Sequence, residues 1–206
     1  AWNVIEREGD DQTAQLSGRI VVQDPQFWLL SVALSLSYLA IMSVFVHQVP
    51  YALDHGIGKV AAASSLAAVS FSAFFGQFFF GWLSDRIRDS KYAAVLGFFM
   101  MTCGMVLLLT AKNLPMLYLF AMVFGFGYGC LAPMTPVLIA DRFGRHALGA
   151  VYGLVTFFIG FGGSIGPFLA GYIYDRCGSY SYVWLFNIAL LLAVTLAILL
   201  LKTKKY

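Results

Sequence analysis

The stretch "FSAFFGQFFFGWLSDRIRDSKYAAVLGFFMMTCGMVLLLT", Phe71 to Thr110, decides the class of this protein. Its middle, "GWLSDRIRDSK" (Gly81 to Lys91), packs five charged side chains into eleven residues, and the runs on either side carry none. Only 11% of the whole chain is charged and 60% is hydrophobic, against about 25% and about 45–50% in a soluble domain. The apolar residues run without the period-2 or period-3.6 alternation of half-buried elements. A helix needs about 20 such residues to cross a hydrocarbon core roughly 30 Å thick. The charged segment is therefore read as a turn between two membrane-spanning helices.

Six runs qualify: Phe27–Val49, Val60–Leu83, Tyr92–Ala111, Pro115–Ile139, Ala147–Ile173 and Tyr182–Leu201. Barrel strands of about 10 alternating residues would look quite different. The predicted fold is an all-α membrane protein, with a six-helix bundle over 27–201, a polar linker over 1–26 and a basic tail over 202–206. The linker holds Glu6, Glu8, Asp10, Asp11 and Asp24 and reads as a solvated segment. The first apolar run begins too late for a cleavable signal peptide. Because the chain opens inside the polar segment without a Met, it reads as a piece of something longer.

With residues 1–26 in the cytoplasm, ten of the thirteen Lys and Arg fall on that side, leaving Lys59, Lys112 and Arg176 outside. That is a positive-inside bias, which puts both termini in the cytoplasm. The expected setting is a plasma membrane or a bacterial inner membrane. No basic patch is interleaved with aromatics, so no nucleic-acid partner is expected. Cys103, Cys130 and Cys177 form no paired framework and read as small buried residues. No cofactor and no metal are expected.

The order Gly, three residues, Asp, Arg occurs twice, as "GWLSDR" at Gly81 and "GYIYDR" at Gly171, ending the second and fifth spans. Spans one and four also end alike, "VPYALDHGIGKVAAA" beside "TPVLIADRFGRHALGA". Spans one to three and four to six thus read as copies of one unit. With an odd number of spans per copy, the second must be inverted in the membrane, the sequence sign of secondary transporters. Close packing is expected at Gly149, Gly153, Gly163 and Gly166 of the fifth span.

Gly81, Asp85 and Arg86, with Arg88 and Lys91 after them, resemble the Gly-x-x-x-Asp-Arg signature of the major facilitator superfamily. "GGSIGPFLAGYIYDRCGSYSYVWLF" resembles that family's eleventh helix, with Gly166-Pro167, Gly171, Asp175 and Gly178 at matching places. The family is itself a known case of such nested inverted repeats. The resemblance covers Phe27 to Leu201 and implies the carboxyl-terminal half of a twelve-helix transporter, whose partner is an absent amino-terminal six-helix half. It further implies that Asp85 and Arg86, and by the repeat Asp175 and Arg176, form a gating loop. There a carboxylate docks on a neighbouring helix terminus, and the contact breaks and re-forms as the halves rock. The usual continuation Asp-Arg-x-Gly-Arg-Arg reads Asp-Arg-Ile-Arg-Asp-Ser-Lys here.

Within the superfamily, "FVHQVPYALDHGI" and "FGFGYGCLAPMTPVLIADRFG" are most similar to the monocarboxylate and oxalate–formate branch. The resemblance implies alternating-access transport of a small organic solute, coupled to protons or to an anion. Where that branch has an Arg, this chain has Gln77, and Ala73 stands one turn earlier. An anionic substrate would then be held by neutral donors or by the absent half.

Polar groups inside a span are costly and face a cavity or another helix. Ser31, Ser35 and Tyr38 share one face of the first span at helical spacing. Tyr128 lies mid-way along the fourth span among glycines, and His47 near the outer end of the first could carry a coupling proton. The expected substrate-cavity residues are Ser35, Tyr38, His47, Gln77 and Tyr128. Asn187 and Thr195 are expected to join helices, and Trp28 and Trp184 to anchor at the membrane interface. An enzyme would want a nucleophile–base pair or metal cluster, yet His47, His55 and His146 are scattered. A channel would want a charged ring or re-entrant filter. An adaptor would not need two inverted Asp-Arg loops. The remaining alternative is an exporter of less polar compounds, with a cavity lined by Phe71, Phe74, Phe75, Phe78, Phe157 and Phe158.

Overall fold

The computed structural model describes residues 21–202. Asp24 starts the first helix: its Oδ1 accepts the N–H of Gln26 at 2.8 Å, and Pro25 fills the first turn, where a missing N–H costs nothing. The helices are α1 (Pro25–Asp54), α2 (Lys59–Arg86), α3 (Lys91–Thr110), α4 (Leu114–Tyr128), α5 (Leu131–Phe143), α6 (Leu148–Cys177) and α7 (Tyr180–Leu200). Asn113 and Ser179 cap α4 and α7 in the same way as Asp24, each accepting from an N–H of the first turn. α4 and α5 are one span interrupted at Gly129 and Cys130, so six spans are long and apolar enough to cross a membrane. At about 1.5 Å per residue, the 30-residue α1 and α6 exceed a roughly 30 Å core, so their polar ends project beyond it. Gly56, Gly144 and Gly178, at φ of 76°, 83° and 66°, turn the chain after α1, α5 and α6.

The start of α1 and the end of α7 meet at one end of the bundle, where the Lys202 N–H donates to Gln26 Oε1 at 2.7 Å. This is the terminal end; the α1–α2, α3–α4 and α6–α7 turns lie at the far end.

Exchange spans one, two and three with four, five and six, and every substantial helix contact maps onto another or onto itself. Span one packs on five as four packs on two, one on six as four on three, and three on six is its own image. Spans one and four cross in opposite directions, so the pseudo-two-fold axis lies in the membrane plane. Spans two and five are the least covered, and present exposed apolar stripes such as Phe71, Phe74, Phe78 and Phe157, Phe161, Phe168.

Small residues bring the crossing pairs together. A Cβ on Gly162 or Gly166 would collide with the carbonyls of Ser35 or Leu39, and one on Gly125 or Gly129 with those of Val69 or Ala73. Gly163 meets only Met42, while Gly149 and Gly153 face open space, against expectation. Gly162 is nine residues beyond Gly153, and at about 100° per residue that is the opposite face of the helix.

Buried polar groups also tie helices together. Asn187 donates to Ser43 at 3.0 Å, Gln48 to Ser65 at 3.1 Å, and Ser72 to the Met122 carbonyl at 2.6 Å. Thr195 instead bonds within its own helix, to the Leu191 carbonyl. Two further expectations fail. Trp184 is 0% exposed rather than interfacial, because Tyr180 stacks on it and Tyr51 meets it edge-on. Cys130 is buried, but Cys177, at the last turn of α6, is exposed.

Candidate functional site

The break in the fourth span assembles the mid-membrane polar groups. α4 ends at Tyr128, and the backbone of Gly129 lies against Ala73 and Gln77 of α2. Glycine is required there, since a Cβ would strike the Ala73 carbonyl. Tyr128 stays half-buried, its ring edge-on to Phe45 of α1 at 5.5 Å. Tyr38 of α1 lies within electrostatic reach of Tyr128 and of Tyr152 on α6, and Tyr152 is 43% exposed. Gln77 is exposed one step along α2. Among the described residues, the Tyr38 and Tyr128 hydroxyls and the Gln77 amide make no side-chain hydrogen bond. Tyr38, Tyr128 and Tyr152, from spans one, four and five, thus lie together around the middle of the bundle, and Gln77 stands on the exposed face of α2 where its backbone meets Gly129.

Ser35 and His47 are spent differently. Ser35 Oγ donates to the Phe158 carbonyl at 2.7 Å, beside the Gly162 crossing. His47 Nε2 lies 3.0 Å from the Pro167 carbonyl. A carbonyl can only accept, so Nε2 donates to it, and Nδ1 lies 3.4 Å from the Tyr180 hydroxyl. Both side chains fasten span one to its neighbours. Tyr152 was missed from the sequence; its signal was a Tyr flanked by Val151 and Gly153 in an otherwise apolar run.

At the terminal end, Asp85 and Arg86 are exposed, and the Arg86 guanidinium lies 5.2 Å from the centre of the Trp82 ring. Asp175 and Arg176 repeat this at the far end, Arg176 standing 5.4 Å from the Tyr172 ring centre. In both repeats the signature Arg therefore folds back over the aromatic that follows the signature Gly. Gly81 makes only ordinary contact with Pro133. Asp85 and Arg88 line a cleft of about 380 Å³ with Asp141 and Arg145.

Behind that cleft is a pair that sequence reading passed over. Arg142 of α5 donates to Asp89 Oδ1 at 2.8 Å, with side chains 4% and 1% exposed, and stands 3.8 Å from Asp141. Ser90 donates to Asp141 at 2.7 Å, and Asp89 Oδ1 accepts the Lys91 N–H at 3.0 Å. The Lys91 ammonium donates to the Leu201 carbonyl at 2.8 Å, fastening α3 to the end of α7. In the sequence the basic members of this cluster read as topology signals, and Lys91 also as the tail of the signature turn. Nothing local marks the pairing, because Asp89 and Arg142 stand 53 positions apart.

The far end is held by rings. Tyr180 stacks on Tyr174 with centroids 4.2 Å apart and on Trp184 at 5.7 Å, while Tyr51 meets Tyr180 edge-on at 6.0 Å. The Tyr174 hydroxyl donates to Asp54 at 3.3 Å.

Comparison with known proteins follows the same lines. The family described as Major Facilitator Superfamily matches residues 28–206. The chain is 29% identical to Monocarboxylate transporter 12-B of Danio rerio over 162 residues, 76% of this chain and 34% of that protein. It is 30% identical to Monocarboxylate transporter 13 of Rattus norvegicus over 169 residues, 81% and 39%, and 28% identical to Monocarboxylate transporter 2 of Homo sapiens over 170 residues, 79% and 35%. It spans a little over a third of the length of these relatives. A six-span bundle with an in-plane repeat, a broken fourth span and two Asp-Arg turns is thus accounted for by descent: the chain belongs to the Major Facilitator Superfamily, and the relatives it matches are monocarboxylate transporters.

Proposed function

We propose that this bundle is one half of a secondary transporter that moves a small organic solute by alternating access. The observation that carries the reading is that Tyr38, Gln77 and Tyr128, inside apolar spans, make no side-chain hydrogen bond among the described residues, next to the exposed faces of spans two and five. A second six-helix half would cover those faces and complete the cavity. The bundle's cations sit at or near span ends, as Lys59, Arg86, Lys91, Arg142 and Arg176, so this half offers substrate only neutral partners. A bare carboxylate among neutral donors in a poorly hydrated cavity costs several kcal/mol. Gln77 lacks the planar fork with which a guanidinium grips a carboxylate. This half therefore meets a hydroxyl, carbonyl or amide of the substrate, and any carboxylate, as in the monocarboxylates named for its relatives, is met by the other half. The excess of basic residues at the terminal end supports a reading with that end in the cytoplasm, and the proposed setting is a plasma or bacterial inner membrane.

The test is uptake by the full-length protein in vesicles, with and without a pH gradient, across lactate, oxalate, small amides and apolar cations. Gln77→Ala should cut transport of the best substrate about tenfold, one lost hydrogen bond in a dry site. Gln77→Arg should shift preference toward carboxylates. If lactate or oxalate is the best substrate and Gln77→Ala is silent, the role given to Gln77 is wrong. A second reading, export of less polar compounds, draws support from the exposed Phe71, Phe74, Phe75 and Phe78. Apolar cations moving outward against a proton gradient would favour it.

A further inference from the structure

The terminal-end cluster and the far-end cleft occupy corresponding places in the two repeats, and the residues that change between them are informative. Asp54-His55-Gly56 stands where Asp141-Arg142-Phe143-Gly144 stands, and both glycines have positive φ. Gly178-Ser179 stands where Asp89-Ser90 stands, each serine at the N-cap of the next helix. At the terminal end this scaffold encloses a guanidinium: Arg142 reaches Asp89 at 2.8 Å, Ser90 at 3.4 Å and Asp141 at 3.8 Å. At the far end the carboxylate and serine persist as Asp54 and Ser179, but among the described residues no guanidinium pairs with Asp54. His55 has replaced the Arg, and its Nδ1–H donates to the Tyr51 carbonyl of its own helix at 2.9 Å.

What remains is a cleft of about 180 Å³ lined by Tyr51, Asp54, His55, Tyr174, Ser179 and Tyr180. Asp54 accepts one hydrogen bond, from Tyr174, and forms no ion pair among the described residues. The nearby cations do not answer it: Arg176 lies over Tyr172, and Lys59 is exposed at the start of α2. The cleft is smaller than the roughly 300–1,000 Å³ of sites for drug-sized ligands. One carboxylate and one imidazole are too few for a metal cage.

We propose that this far-end cleft binds a small organic cation with N–H donors, of the guanidinium or primary ammonium class, using Asp54 as counter-ion. The hydroxyl oxygens of Ser179 and Tyr180 would accept its remaining N–H bonds. The site is separate from the mid-membrane groups and does not depend on the transport reading.

Titration of the full-length protein in nanodiscs with methylguanidinium, followed by saturation-transfer NMR at constant ionic strength, tests it. Saturable binding is expected, at least tenfold weaker in Asp54→Asn and about two- to fivefold weaker in Tyr174→Phe, with melting midpoints unchanged. Tetramethylammonium, which has no N–H, should compete poorly, and sodium should not compete. Absence of saturable binding, equal affinity in a folded Asp54→Asn, or displacement by sodium as effective as by methylguanidinium would each overturn the proposal. Should Asp54→Asn fail to fold, an unchanged affinity in Tyr174→Phe overturns the placement in this cleft.

Discussion

At the terminal end, spans two, three and four are joined by Asp89, Arg142 and Asp141 with Ser90 between them; at the far end, the equivalent junction of spans five, six and one is joined by Tyr51, Tyr174, Tyr180 and Trp184. One three-helix plan, used twice, is closed by ions in one place and by rings in the other. The difference has a mechanical meaning. A buried ion pair is satisfied only near one geometry, because separating it strands a charge in low dielectric. Stacked and edge-on rings keep most of their attraction through small slides, since centroids anywhere from about 4.5 to 7 Å remain favourable. The terminal end should thus be the stiffer end of this bundle, and the far end the one that yields.

The largest expected effect tests the ion pair. Arg142→Met leaves Asp89 buried without its guanidinium and should cost about 3–5 kcal/mol of stability. Asp89→Leu combined with Arg142→Met should recover part of it, because no charge is then stranded at position 89, although the Lys91 N–H loses its acceptor and Asp141 its guanidinium. Chemical unfolding of the full-length protein in detergent reads both. A double variant as unstable as the single one would mean that the pair is not the clamp.

A smaller effect is expected from the rings. Tyr180→Leu removes the packing against Tyr174, Tyr51 and Trp184, and at about 0.5–1.5 kcal/mol per pair should cost about 2 kcal/mol. Tyr180→Phe keeps the stack and gives up only the 3.4 Å hydrogen bond with His47, so it should cost less than about 1 kcal/mol. If Tyr180→Phe proved the worse of the two, the far end would be held by the His47 hydrogen bond rather than by stacking. The same two probes, Arg142→Met and Tyr180→Leu, should also differ in reach: the first loosens spans two to four, the second spans one, five and six.

Six spans and their inverted pairing were legible in the sequence because the bilayer is an unforgiving solvent. It demands long unbroken apolar runs, and it concentrates charge in turns such as Asp85 to Lys91. Side-chain partners were less legible, since they depend on which helix lies opposite. Gly153 and Gly162 look alike in the sequence, yet they point to opposite sides of α6, and only Gly162 meets span one. Trp184 lies close enough to a polar turn to read as an anchor, but Tyr51, 133 positions before it, covers its edge. Tyr38, Gln77 and Tyr128 stood out in the sequence as polar groups inside apolar spans, and in the fold they remain without side-chain hydrogen bonds among the described residues, whereas Ser35 and His47 are drawn into helix contacts.

The smallest expected effect on stability falls on the two signature carboxylates, and it sharpens the comparison most. Asp85 and Asp175 are both exposed, and each is followed by an Arg that covers a neighbouring ring of its own helix. Neither holds its end of the bundle together, so Asp85→Asn and Asp175→Asn should leave the melting midpoint unmoved. Membrane insertion should also survive, because orientation follows Lys and Arg while acidic residues contribute little. What an exposed carboxylate beside a helix end can do is dock on a helix terminus of another six-helix half. If Asp85 docks in this way, full-length transport should fall at least about tenfold in Asp85→Asn, one state of the proposed cycle then lacking a charge-assisted hydrogen bond. If the far end is the yielding one, Asp175→Asn should fall less than Asp85→Asn. Tag accessibility on both sides, a melting curve and initial uptake rates for the two variants suffice to decide. Wild-type rates in Asp85→Asn would leave its turn as a solvated loop, and a greater loss in Asp175→Asn would reverse the assignment of rigid and yielding ends.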